Sequence, residues 1–153
     1  LAGRVADGVV LAEAIGPEYV RWAIAQAAAA AAFRVSVFSA ICIEEDRETA
    51  YRWMAPALAG WMASPNPAID AHPHADELKA RFADGGEAAL VSMPREWWLQ
   101  LGAIGTLDDA VEHLHELGAA GAHDVAMFPA PEWEVGRSQV DDVVRLAAAV
   151  HSA

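Results

Sequence analysis

The residues of this chain best suited to chemistry are its six histidines and its single cysteine. Asp70-Ala71-His72-Pro73-His74-Ala75-Asp76 is the one cluster with metal-ligand residue types. In an extended backbone alternate side chains share a face. His72 and His74 could then reach one cation, with the aspartates completing the shell, as in a metal-dependent hydrolase. The stretch also follows Ser64-Pro65-Asn66-Pro67 and brings Asp76 and Glu77 to a helix start, where carboxylates suit the positive end of the dipole. That solvated helix start is the favoured reading. His113 and His115 stand two apart on a helix and point in different directions, so they cannot chelate together. His123 and His151 are isolated.

Cys42 lies in an apolar run and reads as a small buried hydrophobe ahead of a functional thiol. Trp97 and Trp98 suit core packing with Trp53 and Trp61 better than a stacking platform. The chain has no glycine-rich phosphate loop, no G-x-S-x-G and no C-x-x-C.

The elements that would position these residues alternate between strand and helix. Asp7-Gly8 is a turn signal, and Val9-Val10-Leu11 is a short strand apolar on both faces. Gly16-Pro17-Glu18 starts a helix that the alanine tract carries to about Ala32. Arg34 to Ile43 is the strongest strand. Val35, Val37, Ile41 and Ile43 share one parity, suiting a helix layer; Ser36, Phe38, Ala40 and Cys42 share the other, suiting a crowded interior. An acidic helix start follows at Glu44-Glu45-Asp46, and Pro56 should kink or split that helix.

Residues 70 to 100 read as short helices separated by Asp84-Gly85-Gly86 and Met93-Pro94. Thr106-Leu107-Asp108-Asp109 resembles a capping box, with a helix behind it that ends at Gly118 to Gly121. Asp124 to Pro129 is a third strand, and the last helix spans about Arg137 to His151. Strand, helix, strand, helices, strand, helix is the order of an α/β protein with a parallel sheet. Three strands, no internal repeat and no dividing linker make residues 1–153 one domain.

Composition narrows the function. A net charge of −12 argues against a nucleic-acid partner, because phosphate binding needs clustered Lys and Arg. The hydrophobic fraction of 55% and mean hydropathy of +0.18 fit strands buried on both faces. The longest apolar stretch, Trp22 to Ile43, is interrupted by Gln26 and Arg34, too early for a membrane span. One cysteine excludes an internal disulfide and fits a reducing compartment, so a cytoplasmic protein is expected.

Three segments together resemble the bacterial luciferase-like monooxygenase superfamily, in the branch that uses the deazaflavin coenzyme F420, near methylenetetrahydromethanopterin reductase. The first is Ala2-Gly3-Arg4-Val5-Ala6-Asp7-Gly8-Val9-Val10-Leu11 followed by Gly16-Pro17-Glu18-Tyr19-Val20. The second is Arg34 to Ala50. The third is Met93-Pro94-Arg95-Glu96 through Gly105-Thr106, then Leu114 to Gly118, Gly121 and Asp124 to Pro129. The resemblance implies a partial (β/α)8 barrel: its last three βα units, strands 6 to 8, with a helical insertion between strands 7 and 8.

It further implies an oxidoreductase that transfers a hydride between F420, or alternatively FMN, and a small organic substrate. The catalytic residues and the cofactor phosphate loop would lie upstream of Leu1. Ligands in such barrels gather at the C-terminal ends of the strands. That places Ala12, Glu13, Ala40, Cys42, Phe128 and Pro129 nearest a cofactor or substrate, and Glu13 would repel a sugar phosphate. A second expectation is a catalytically inactive, truncated barrel. Unpaired edges on three apolar strands would favour a homo-oligomer, or association with a missing N-terminal half.

Overall fold

A computed structural model of the chain describes residues 2–12, 14–28 and 32–152, without the side chains of residues 133 and 134. The elements in order are α1 (Ala2–Val5), β1 (Gly8–Ala12), α2 (Pro17–Ala27), β2 (Arg34–Ile43), α3 (Arg47–Met62) and α4 (Pro67–Asp70). They continue with α5 (Ala75–Val91), α6 (Arg95–Trp98), β3 (Gly102–Gly105), α7 (Leu107–Ala119), β4 (Asp124–Pro129) and α8 (Trp133–Val150). No described helix is long and apolar enough to cross a membrane.

β2 is the centre of the sheet because it is the longest strand and apolar on both faces at its C-terminal half. β1 pairs with it in parallel from Gly8↔Arg34 to Ala12↔Phe38, and β4 pairs in parallel from Ser36↔Asp124 to Ile41↔Pro129. These two stretches of β2 overlap, so β1 and β4 occupy opposite sides. The three expected strands are therefore adjoining and parallel.

A fourth strand, β3, corrects the three-strand expectation. It pairs in parallel with β2 from Ala40↔Gly102 to Ile43↔Gly105, just beyond the stretch that β1 covers. Four residues with a glycine at each end carry almost no strand propensity. Docking makes the strand: a Cβ on Gly102 would stand 3.0 Å from the Ala40 carbonyl oxygen.

Helix boundaries shift where local preference meets packing. α2 does not run to Ala32; Ala28 turns left-handed at φ 47° and closes the helix, its N–H bonding to the Ala25 and Ile24 carbonyls. Residues 29–31 of the alanine tract lie outside the described residues. α3 passes through Pro56 as one helix rather than two, held by buried Tyr51, Met54, Ala55 and Leu58 on its inner side. α5 is two segments meeting at Gly86, in the region where the glycine pair suggested a break. α8 begins at Trp133, a turn earlier than Arg137, and includes Gly136, where a Cβ would meet the Ala130 carbonyl oxygen at 2.7 Å.

The parity expected of β2 is realised on one face and half realised on the other. Ile41 and Ile43 pack with Ala103, Ala110 and Leu146, so the branched face meets the helix layer of α7 and α8. On the opposite face Ala40 and Cys42 are buried, and Trp61 of α3 stands edge-on to Phe128 at 6.1 Å. Towards the N-terminal ends of the strands that second face is open. Phe38 is 45% and Val10 is 61% exposed.

Candidate functional site

The C-terminal ends of β2 and β3 open into a cleft of about 470 Å3 lined by Glu44, Glu45, Thr106, Asp108, Ser138 and Asp142, with Arg145 at its side. Each lining residue follows a strand or lies on an adjoining helix, which is why the sheet brings them together. Burial raises the Glu44 carboxyl above its ordinary range, and the neighbouring Asp142, Asp46 and Glu45 add to the effect. Arg145 donates to Asp142 at 2.6 Å and so neutralises one of the four carboxylates. The cleft favours polar or cationic groups and repels anions.

The expected rim residues do not converge on this cleft. Ala12 and Pro129 are exposed at the ends of β1 and β4, on opposite sides of β2. Ala40 and Cys42 are fully buried. Glu13 lies outside the described residues. The Cys42 thiol is pushed up to about 11 by burial, and its Sγ accepts from Gln139 Nε2 at 3.2 Å. It is an uncharged core side chain at neutral pH.

His72 and His74 are committed elsewhere. His72 Nδ1 accepts from the His74 backbone N–H at 3.0 Å, which leaves Nε2 to donate to the Trp97 carbonyl at 3.1 Å. The His74 ring stacks on Trp97 at 4.9 Å. Both His72 nitrogens are used within the helical insertion, so the pair is a buckle between its two ends. Among the described residues no group of three or more His, Cys, Asp or Glu could hold a metal ion.

Two buried polar centres went unread in the sequence. The first is Asp109, fully buried at the start of α7. It accepts from Arg95 Nε at 2.5 Å, Arg47 Nε at 2.7 Å, and the Thr106 N–H and hydroxyl, each at 2.9 Å. Burial alone would raise this carboxyl, but the hydrogen bonds from Arg47, Thr106 and Arg95 outweigh it and hold the group well below the usual carboxylate range. Arg95 also grips Glu112. The Thr106–Asp109 capping box was legible; the two arginines that reach it from α3 and α6 were not, since neither is near it in sequence.

The second centre is His113. Its Nε2 lies 2.9 Å from Ser39 Oγ and its Nδ1 lies 2.8 Å from the Leu99 carbonyl. The carbonyl requires a proton on Nδ1, so neutral His113 accepts from the Ser39 hydroxyl. A Ser–His contact of this kind can activate a nucleophile. Here both residues are fully buried, with no route for a substrate. Burial pushes His113 down to about 4. The contact is a strut between β2, α7 and the α6–β3 connection.

No protein-family model and no curated protein matches the chain. Two solved structures are similar. A coenzyme F420-dependent tetrahydromethanopterin reductase from Methanopyrus kandleri is 19% identical over 85% of this chain and 41% of its own, with a TM-score of 0.57. Riboflavin lyase, solved with a modified FMN and riboflavin, is 15% identical over 97% of this chain and 40% of its own, with a TM-score of 0.50. The chain thus spans about two fifths of the length of each. The likeness is one of fold, a mixed α/β structure with a parallel sheet.

F420 and FMN both carry phosphate, which tests the described rim directly. Four carboxylates and one paired arginine do not fit that anion. This cleft is no phosphate site.

Proposed function

We propose that this chain contributes the last three βα staves of a luciferase-like (β/α)8 barrel in an oxidoreductase that works with F420 or FMN. The observation that carries this reading is the parallel β1-β2-β4 ladder, with α7 and α8 on one face and an opposite face open towards the N-terminal ends of its strands, in a chain whose fold is similar to an F420-dependent reductase and a riboflavin lyase. When bound, the cofactor supplies hydride transfer. The chain's own part is to wall the site, with Ala12 and Pro129 at the C-terminal ends of β1 and β4 bordering the rim. The phosphate would be held by other residues.

Titration with oxidised F420 and with FMN, followed by their fluorescence, tests the proposal. Saturable quenching by one of them supports it, and an unchanged signal with both overturns it. The acidic cleft, whose lining fits no phosphate, favours a second reading, a barrel piece that serves as a structural module without a cofactor.

A further inference from the structure

The helical insertion between β2 and β3 is fastened to itself through one imidazole. His72 stands just ahead of α5, 6% exposed, and each ring nitrogen holds a different part of the segment. Nδ1 accepts from the N–H of His74, the N-cap of α5, and Nε2 donates to the Trp97 carbonyl on α6. The Trp97 ring stacks on His74 at 4.9 Å and meets the Arg81 guanidinium at 5.8 Å. Arg81 in turn donates to Ser92 Oγ at 3.1 Å, at the end of α5. None of these bonds reaches the sheet. Trp97 also walls a recess of about 600 Å3 with Glu77, Arg81 and Asp84.

We propose that this fastening is an acid-operated latch: a proton on His72 releases residues 71–74 from α6, frees Trp97 and reshapes the recess, while the sheet stays folded. A neutral imidazole has one donor and one acceptor nitrogen, and His72 uses both. The proton must enter at Nδ1, where it meets the His74 N–H and ends that bond. It also sets a buried positive charge beside the positive end of the α5 dipole. Burial accordingly holds His72 below its ordinary value of 6.5. The stability that neutral His72 lends the segment is complete above that value and is lost as pH falls below it.

The charged groups around His72 come from each neighbouring element. His74 lies 6.0 Å away, ring to ring, and adds like charge once protonated. Asp76 and Glu77 in the first turn of α5 oppose that effect, but Glu77 does so more weakly than burial and its carboxylate lies 4.0 Å from His74. Asp70 of α4 is engaged by Lys79 at 2.5 Å, and on α6, which also carries Glu96, Arg95 is committed to Asp109. His113 differs in what it holds. Its partners are Ser39 on β2 and the Leu99 carbonyl, so acid there works against the whole fold, whereas His72 works against one segment. The inference uses no rim residue and no cofactor, and stands apart from the proposed function.

Amide hydrogen exchange of the whole chain, followed by NMR at about pH 7.5 and 5.5 and corrected for the intrinsic effect of pH on exchange, tests it. The His74 and Ala75 amides bond to the His72 ring and carbonyl. Their protection should fall roughly five- to tenfold at the lower pH. Low urea should leave their exchange unchanged while it speeds exchange in β2, the mark of a local opening. His72→Asn keeps an acceptor for the N–H two residues on but does not titrate, so the fall at these two amides should vanish. Equal protection at both pH values, the same fall in the variant, or exchange at His74 that rises with urea as steeply as that of β2 would each overturn the latch. Should the variant not fold, the pH and urea arms on the unaltered chain still decide.

Discussion

Ser39 on β2 and His113 on α7 meet at 2.9 Å in a fully buried position, and the other ring nitrogen of His113 is held by the Leu99 carbonyl before β3. One neutral imidazole therefore ties the central strand, a helix and the short fourth strand together. Its contact would look catalytic in a cleft. Depth makes it structural.

That burial has a consequence in pH. His113 is pushed down to about 4 in the fold against 6.5 in the open chain, so the unfolded state takes up the proton first. The stability it contributes is present in full above pH 6.5 and is lost as pH falls towards 4. At roughly 1.4 kcal/mol per unit, the loss reaches about 3 kcal/mol. Urea midpoints measured between pH 7 and pH 4 should fall steadily, and His113→Gln should flatten that slope. An equal slope in the variant would refute the assignment.

Asp109 should be the most sensitive carboxylate. Asp109→Asn leaves Arg47 and Arg95 facing a neutral amide and loosens the cap of α7 at the same time. A loss of about 2 kcal/mol is expected, because hydrogen bonds to charged groups are involved and the arginines retain access to water. Asp124→Asn, at an exposed ion pair, should change stability little. Thermal melts of both variants at neutral pH provide the comparison, and a larger loss at Asp124 would contradict it.

Ala28 is a left-handed residue with a Cβ, at φ 47°, where glycine is the ordinary choice. Ala28→Gly should stabilise the chain by about 1 kcal/mol, since the strained alanine conformation is relieved at the cap. A lower melting temperature would show that α2 does not end there.

Hydrophobic pattern and turn chemistry alone determined the parallel α/β order, the limits of β2 and β4, and the Thr106–Asp109 cap. These depend on short spacings that one segment carries by itself. Only tertiary structure decided the rest. β3 exists because Gly102–Gly105 docks on β2, and Ala28 closes α2 against the high helix propensity of alanine. Arg47 and Arg95 converge on Asp109 from 62 and 14 residues away. His72, expected in a solvated helix start, is buried as a buckle for the same reason, whereas the burial of Cys42 was already legible in its apolar run. A side chain's chemistry is set by what surrounds it, and its surroundings come from distant parts of the chain.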